Sequence, residues 1–217
     1  MNNTADINSD IISKNRHMRE LIYEMVKNSG RLATQRVMNL QSQRNVIINQ
    51  SNPENKSNSE IIKKFDELFN GSKISEPISI DSFLDRISRI EQLSNVVFLI
   101  SGYLFYQIII TPEIFKNFKE SSYSIKLFAT CVYLAQKYHL DTQFHPNDMG
   151  KLLGLKPKSL NEKELFLYEK IFKFDLRISP KNLKRFKILL RGLPIRILQL
   201  EAGEQLSLVL KEKAQEE

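Results

Sequence analysis

Several residue types are scarce in this 217-residue sequence, which has one cysteine, no tryptophan, seven glycines and seven prolines. A single cysteine cannot form a disulfide within the chain, and so few glycines and prolines exclude collagen-like and low-complexity proteins. The cysteine, Cys131, lies in an apolar stretch, where a thiol usually serves as a small buried hydrophobe. With 41% hydrophobic residues, the chain is expected to be globular. Because it has only one cysteine, we expect a reducing, intracellular location, in the cytoplasm, the nucleus or both.

The chain also lacks the patterns of a signal peptide and of a membrane-spanning helix. Its first residues, MNNTADINSDII, are polar and show no basic segment followed by an apolar one, so no cleaved signal is expected. The most apolar stretch, Val96 to Ile110, is shorter than the roughly 20 residues that a bilayer requires. We therefore expect a buried helix in this stretch and no membrane partner.

Sequence patterns of common catalytic and ligand sites are missing as well. No Walker A, GxSxG, HExxH or CxxC pattern occurs, so we expect a protein that is not an enzyme and has no catalytic residues, cofactor or metal. One group of possible metal ligands lies close together in the chain, namely His139, Asp141, His145 and Asp148. A loop whose residues cap a helix starting at Pro146 explains this group better.

The N-terminal part of the chain predicts an arm and a linker. Residues 51–60 contain no apolar side chain, which is typical of a linker. The preceding arm, residues 1–50, has apolar residues at helical spacing after His17. An accessory helix and a loosely packed extension are both compatible with it. A linker of this kind transmits few packing contacts, so we expect the arm to be removable without unfolding the rest.

Residues 61–190 predict one all-α domain that includes a preceding helix, and residues 191–217 predict a helical tail. Ser79 is a suitable N-cap, either Ser94 or Asn95 starts the next helix, and the three dipeptides Thr111-Pro112, His145-Pro146 and Ser179-Pro180 are typical helix starts. The helix predicted from Tyr123 to His139 is apolar on every side. A helix of that kind belongs at the centre of a bundle.

The segments ISIDSFLDRISRIEQLS, ATCVYLAQKYHLD and LNEKELFLYEKIFKFDLRIS occur in this order. Together they resemble a single cyclin box extending from Ile78 to about Phe186, and among cyclins they are most similar to the P/U type. The resemblance implies a cyclin-box five-helix bundle with a central buried helix, to which N- and C-terminal helices are added. It also implies a non-catalytic regulatory subunit that binds and activates a cyclin-dependent protein kinase as a heterodimer.

The resemblance further implies a charged kinase-binding lip. Its lysine, from the third helix of the box, maps to Lys137 and is followed by Tyr138. Its glutamate maps to Glu164 when the fifth helix is aligned by distance to FDLRIS, which leaves one extra residue in the helix. A local match of KELFLYE gives Glu169 instead. We favour Glu164 and expect the lip residues to be exposed, so that their substitution affects binding rather than folding.

The sequence departs from the usual cyclin pattern at one ion pair. Cyclins usually pair the arginine of the first box helix, here Arg86, with an aspartate of the second, but Tyr106 stands at that position.

A basic stretch includes Lys184, Arg185, Lys187 and Arg191. It is compatible with a solvated helix face or with an anionic docking surface.

The net charge of +7 is compatible with an acidic partner. It also leaves an alternative function open, a cyclin-fold protein that binds nucleic acid or acts as an adaptor without a kinase. A nucleic-acid partner is disfavoured because the sequence has no aromatic-basic motif, no zinc ribbon and no second repeat.

Overall fold

The computed structural model describes residues 3–32, 54–70, 79–88, 94–111, 121–139, 145–199 and 202. The helices are, in chain order, α1 (Asn3–Lys27), α2 (Glu54–Asn70), α3 (Ile80–Ser88), α4 (Asn95–Ile109), α5 (Ser121–His139), α6 (Pro146–Leu153), α7 (Pro157–Phe166) and α8 (Pro180–Arg191). A π-helical turn (Leu167–Ile171) continues α7, and residues 193–199 form a further helical segment. Every regular element of the described residues is helical, which confirms the all-α prediction.

Helix starts follow the capping residues of the sequence. The hydroxyls of Ser79, Ser94 and Ser179 each accept a hydrogen bond of 3.1 or 3.2 Å from the backbone N–H three residues later. His145 Nδ1 accepts one of 3.3 Å from the N–H two residues later. These four predicted starts are confirmed because each cap satisfies an N–H group that has no partner within the helix. The start predicted at Thr111-Pro112 extends beyond the described residues.

Helix α5 lies at the centre of the bundle, as its apolar sequence predicts. Every residue from Tyr123 to Gln136 is buried, and α5 packs most extensively against α4 and also against α1, α2, α3, α6 and α7. The Cys131 thiol is fully buried, and this burial raises its pKa far above the ordinary range. The thiol is therefore held protonated and acts as a small apolar side chain.

Helix α1 is part of this core. Leu21, Ile22, Met25 and Val26 are at most 4% exposed, and α1 packs against α4, α5 and α8. Its approach to α4 depends on Gly102, because a Cβ at that position would lie 3.0 Å from Ile22 Cδ1. We therefore replace the expectation that the arm is dispensable with the prediction that its removal unfolds the domain.

Helix α2 covers another side of the bundle. It begins at Glu54, so residues 54–60, predicted as linker, are helical here. Two of these residues, Ser59 and Glu60, are exposed. Further along, the fully buried Phe65 and Phe69 pack α2 against α5 and α7.

Helix α8 packs against Tyr103 and Tyr106 of α4. Tyr106, which stands in place of the usual aspartate, places its ring 5.5 Å from that of Phe186, and the ring of Tyr103 lies 5.6 Å from Phe186. Arg86 is exposed, so the loss of the aspartate leaves no buried arginine charge. The chain after α8 continues the packing through the buried Leu193 and Ile197. Of the helical tail predicted for residues 191–217, the part after residue 199 falls outside the described residues except for residue 202.

No helix among the described segments has both the length and the apolar character needed to cross a membrane.

Candidate functional site

The last turn of α5 emerges from the core and carries two of the predicted lip residues. Gln136 is buried, Lys137 is half-buried and Tyr138 is 40% exposed. Because α7 packs beside α5, this turn faces the middle of α7, where Glu164 lies. The sequence positions 137, 138 and 164 are thus brought together by helix packing.

Glu164 is the centre of a polar cluster. Lys137 Nζ donates to both of its carboxylate oxygens, at 3.0 and 3.1 Å, and the Tyr138 hydroxyl donates to Oε1 at 3.3 Å. The Glu164 side chain is 6% exposed, whereas that of Lys137 is 36% exposed. The expectation that both residues are exposed is wrong for Glu164. A buried carboxylate requires this number of donors, because leaving its oxygens unpaired would be costly.

The pKa of Tyr138 shows how the cluster is held together. Burial and the neighbouring Glu164 carboxylate raise the pKa of Tyr138 to about 12. A tyrosine hydroxyl is protonated at physiological pH at either value, and the raised pKa extends the pH range over which Tyr138 remains a donor to Glu164.

Aromatic and apolar side chains surround the cluster. The Tyr138 ring stacks on Tyr168 at 4.8 Å, and Tyr168 meets Phe174 edge-on at 5.3 Å. Leu165 and Phe174 are 53% and 63% exposed. Large exposed apolar groups around an oriented ion pair are typical of a protein-binding surface.

These residues border an open cleft of about 370 Å³ between α5, α6 and α7, which we call the α5–α7 cleft. Tyr133, Lys137, Asn161, Glu164 and Leu165 line it. The buried Gln136 also lines it, and its carbonyl Oε1 meets no hydrogen-bond donor among the described residues. The cleft thus combines a paired charge, an apolar rim and an acceptor that a bound partner could satisfy.

Helix α7 continues into an irregular turn. Phe172 N donates to Leu167 O at 2.9 Å, five residues earlier, so this turn holds one residue more than an α-helical turn. Glu169 lies half-buried in it. Lys173 and Phe174 follow with φ of 50° and 63°. Residues other than glycine rarely adopt this left-handed backbone conformation. It ends the helix here, and the Phe174 side chain that follows is exposed.

The remaining predicted site residues lie elsewhere. Lys184, Arg185, Lys187 and Arg191 are all exposed on α8, and none lines the α5–α7 cleft. Lys187 and Arg191 instead line a second groove with α1 and α4.

The possible metal ligands in the sequence are placed as follows. His145 caps α6, Asp148 is exposed, and Asp141 lies outside the described residues. Burial lowers the pKa of His139. In the described part of the chain, no three His, Cys, Asp or Glu side chains are grouped so as to hold a metal ion.

Sequence reasoning missed Asn161 and Leu165, which line the cleft, and Tyr168 and Phe174, which form the aromatic contacts beside it. The spacing 161, 165 and 168 places three of them on one face of α7 and the π-helical turn that continues it, and this spacing was the available signal. It was obscured because a leucine and a tyrosine in an amphipathic helix are usually core residues.

The family model for cyclins matches residues 27–176, from the last residue of α1 to just beyond the π-helical turn. No curated protein matches the chain by sequence. The matched span covers more than half of the 217 residues, and we conclude that the chain belongs to the cyclin family.

Proposed function

We propose that this protein is a regulatory subunit that binds and activates a cyclin-dependent protein kinase, and that it is a single-box cyclin of the P/U type. The observation that carries the proposal is the Lys137–Glu164 pair at the exposed, aromatic-rimmed α5–α7 cleft. Membership of the cyclin family supports a regulatory role. The P/U assignment is supported by the order and spacing of the sequence segments.

The partner element proposed for the cleft is the αC helix of the kinase. Leu165, Tyr138 and Phe174 offer apolar surface to such a helix, and burial of each large side chain contributes about 1.5–3 kcal/mol. Binding would favour the position of αC in which its glutamate pairs with the lysine that holds the ATP phosphates. Activation then follows because this conformation alone makes the full set of contacts with the cleft.

The Lys137–Glu164 ion pair would favour binding by holding the Lys137 side chain in one orientation. Lys137 is already held by Glu164, so little side-chain entropy is lost when a partner arrives. Its remaining exposure would be removed by the kinase, and removal of a charge that is desolvated at an interface typically costs about 2–5 kcal/mol of affinity. Gln136 Oε1, which meets no donor among the described residues, would accept a hydrogen bond from the partner.

The test begins with recovery of the protein from its native cell and identification of a bound kinase catalytic chain. The purified kinase is then assayed with and without the protein, and its dissociation constant is measured. We expect a clear increase in phosphorylation rate. A rate no higher than that of the kinase alone, or recovery with nucleic acid and no kinase, would favour the alternative of a cyclin-fold nucleic-acid-binding or adaptor protein.

The cleft itself is tested by Leu165→Glu, with Ile195→Glu as the matched control, because the two side chains are 53% and 63% exposed. Leu165→Glu should weaken kinase binding at least about tenfold, which corresponds to 1.4 kcal/mol. Ile195→Glu should leave it unchanged. Equal binding by both variants would place the kinase elsewhere.

Kinase binding by Glu169→Ala distinguishes the two alignments of the fifth box helix. Only the local match of KELFLYE makes Glu169 a lip residue, so only that alignment predicts weaker binding by this variant.

A further inference from the structure

A second groove lies between α1, the start of α4 and α8, and has a volume of about 310 Å³. We call it the α1–α4–α8 groove. Ile22, Phe98 and Leu99 line it and are buried, and Met18 is half-buried. Val96, in the first turn of α4, also lines the groove but is 62% exposed. The groove therefore has an apolar floor and an apolar edge open to solvent.

Positive charge surrounds this apolar floor. Lys14 and Arg19 of α1 and Lys187 and Arg191 of α8 line the groove, and no carboxylate lines it among the described residues. Lys187 and Arg191 are four residues apart and so share one face of α8. The first turn of α4 forms part of the wall and adds the positive end of its helix dipole.

Arg19 is held in one orientation. Its Nε donates to Asn95 Oδ1 at 2.7 Å, and its guanidinium lies 5.2 Å from the centre of the Phe98 ring. The hydrogen bond and the cation–π contact together restrict the guanidinium to this part of the groove. A planar, oriented guanidinium is suited to a carboxylate ligand.

The charge of the groove is a local feature and does not simply reflect the net charge of the protein. On the α3 side of α1, a different groove is lined by Glu20, Glu24, Asp81 and Asp85, together with Lys27. Helix α1 therefore separates an acidic groove from a basic one. Such segregation produces a directed potential that favours anionic partners on one side only.

From these observations we propose that the α1–α4–α8 groove binds an acidic peptide segment of a partner protein, with an apolar side chain of the peptide on the groove floor and its carboxylates on the basic rim. The apolar floor and Val96 favour a peptide over nucleic acid or a lipid headgroup, since phosphate groups would leave the floor uncovered. This site is separate from the α5–α7 cleft and does not depend on the kinase proposal.

The experiment measures fluorescence anisotropy of a labelled twelve-residue peptide of glutamates and leucines with the full-length protein. Lys187→Glu with Arg191→Glu is compared with Lys181→Glu with Arg185→Glu. Both pairs lie on α8 with the same spacing and are exposed, but only the first lines the groove. We expect the first pair to weaken binding at least about tenfold, and the second less than about threefold.

Two further variants separate the parts of the proposal. Val96→Ser should weaken the leucine-containing peptide and leave a peptide of glutamate and glycine unchanged. Leu165→Glu, in the α5–α7 cleft, should bind the peptide as the wild type does, so that failure of one proposal is distinguishable from failure of the other.

Three results would overturn the peptide proposal. They are no saturable peptide binding, equal weakening by both charge-reversed pairs, and tighter binding of a single-stranded oligonucleotide or of phosphatidylserine vesicles than of the peptide.

Discussion

The contact between α5 and α7 has a closed end and an open end, although similar residues stand at both. Lys126 and Lys137 are eleven residues apart on α5, close to three full turns, and so lie on nearly the same face. Lys126 is 2% exposed and donates to the backbone carbonyl of Phe69 in α2 at 2.9 Å. Lys137 is partly exposed beside the α5–α7 cleft. Helix α2 of the same chain covers the end at Lys126, whereas the end at Lys137 stays partly exposed.

At the closed end, covering the surface between α5 and α7 buries lysine side chains, which is energetically unfavourable. Lys163 of α7 is 1% exposed and donates to the Ser159 hydroxyl. Burial, together with the nearby Lys126 charge, lowers the pKa of Lys163 to about 8. Phe65 and Phe69 of α2 complete the cover, with their rings 4.6 Å apart. Aromatic burial offsets the unfavourable burial of cations here. At the open end, the cation Lys137 stays partly exposed and is paired with the buried Glu164 carboxylate, so no unpaired cation is buried there.

The largest effect is expected from removing residues 1–32, which uncovers α5 on the α1 side. Four side chains at most 4% exposed are lost, and at about 1.5–3 kcal/mol each this rivals the typical total of about 5–15 kcal/mol. Circular dichroism melting should show no cooperative transition. Removal of residues 1–12 alone, which retains those four side chains, should leave a cooperative transition. An unchanged melt of the longer truncation would show that α1 is peripheral.

The comparison between the two ends is tested directly by Phe65→Ala and Phe174→Ala. Phe65 is fully buried at the closed end and Phe174 is 63% exposed at the open end. We expect the free energy of unfolding to fall by about 3–5 kcal/mol for Phe65→Ala and by no more than about 0.5 kcal/mol for Phe174→Ala. Urea unfolding measures both. Similar losses for the two variants would contradict the distinction between closed and open ends.

The buried Lys163 predicts a pH dependence with a definite sign. Between the folded pKa of about 8 and the unfolded value of 10.5, the unfolded chain holds a proton that the folded chain has lost. The free energy of unfolding contributed by this group therefore rises with pH across that window and is lower below it. Lys163→Met should remove the rise between pH 7.5 and 9.5, whereas Lys158→Met, an exposed control on the same helix, should retain it. Parallel curves for Lys163→Met and the wild type would contradict the burial of a charged lysine.

A smaller effect than that of Phe65→Ala is expected for the coupling between Lys137 and Glu164. A double-mutant cycle with Lys137→Met and Glu164→Gln should give a coupling of about 1 kcal/mol in urea unfolding, because one partner is buried and the other remains partly solvated. Glu164→Gln keeps the shape of the side chain and removes only its charge. A coupling near zero would indicate that the pair contributes to binding alone.

Prediction from sequence succeeded where local rules decide. The caps at Ser94 and Ser179 and the buried α5 follow from hydrogen-bonding and periodicity that a short segment carries itself. The burial of Glu164 and the packing of α1 against Gly102 could not be predicted, because each depends on a helix distant in sequence. The π-helical turn could not be predicted either, because its sequence has no Gly or Pro to interrupt the helix and the local spacing is compatible with a continuous α-helix.

The packing of α1 against α8 also bears on how the chain reaches its folded state. Residues from before position 32 and after position 180 meet in one core, so the bundle is closed by contacts between segments separated by more than a hundred residues. Contacts of such high sequence separation slow folding, because loop-closure entropy is lost before they form. During synthesis, α1 leaves the ribosome before α8 does, so the apolar face that α1 turns toward α8 stays uncovered by that helix until α8 has followed.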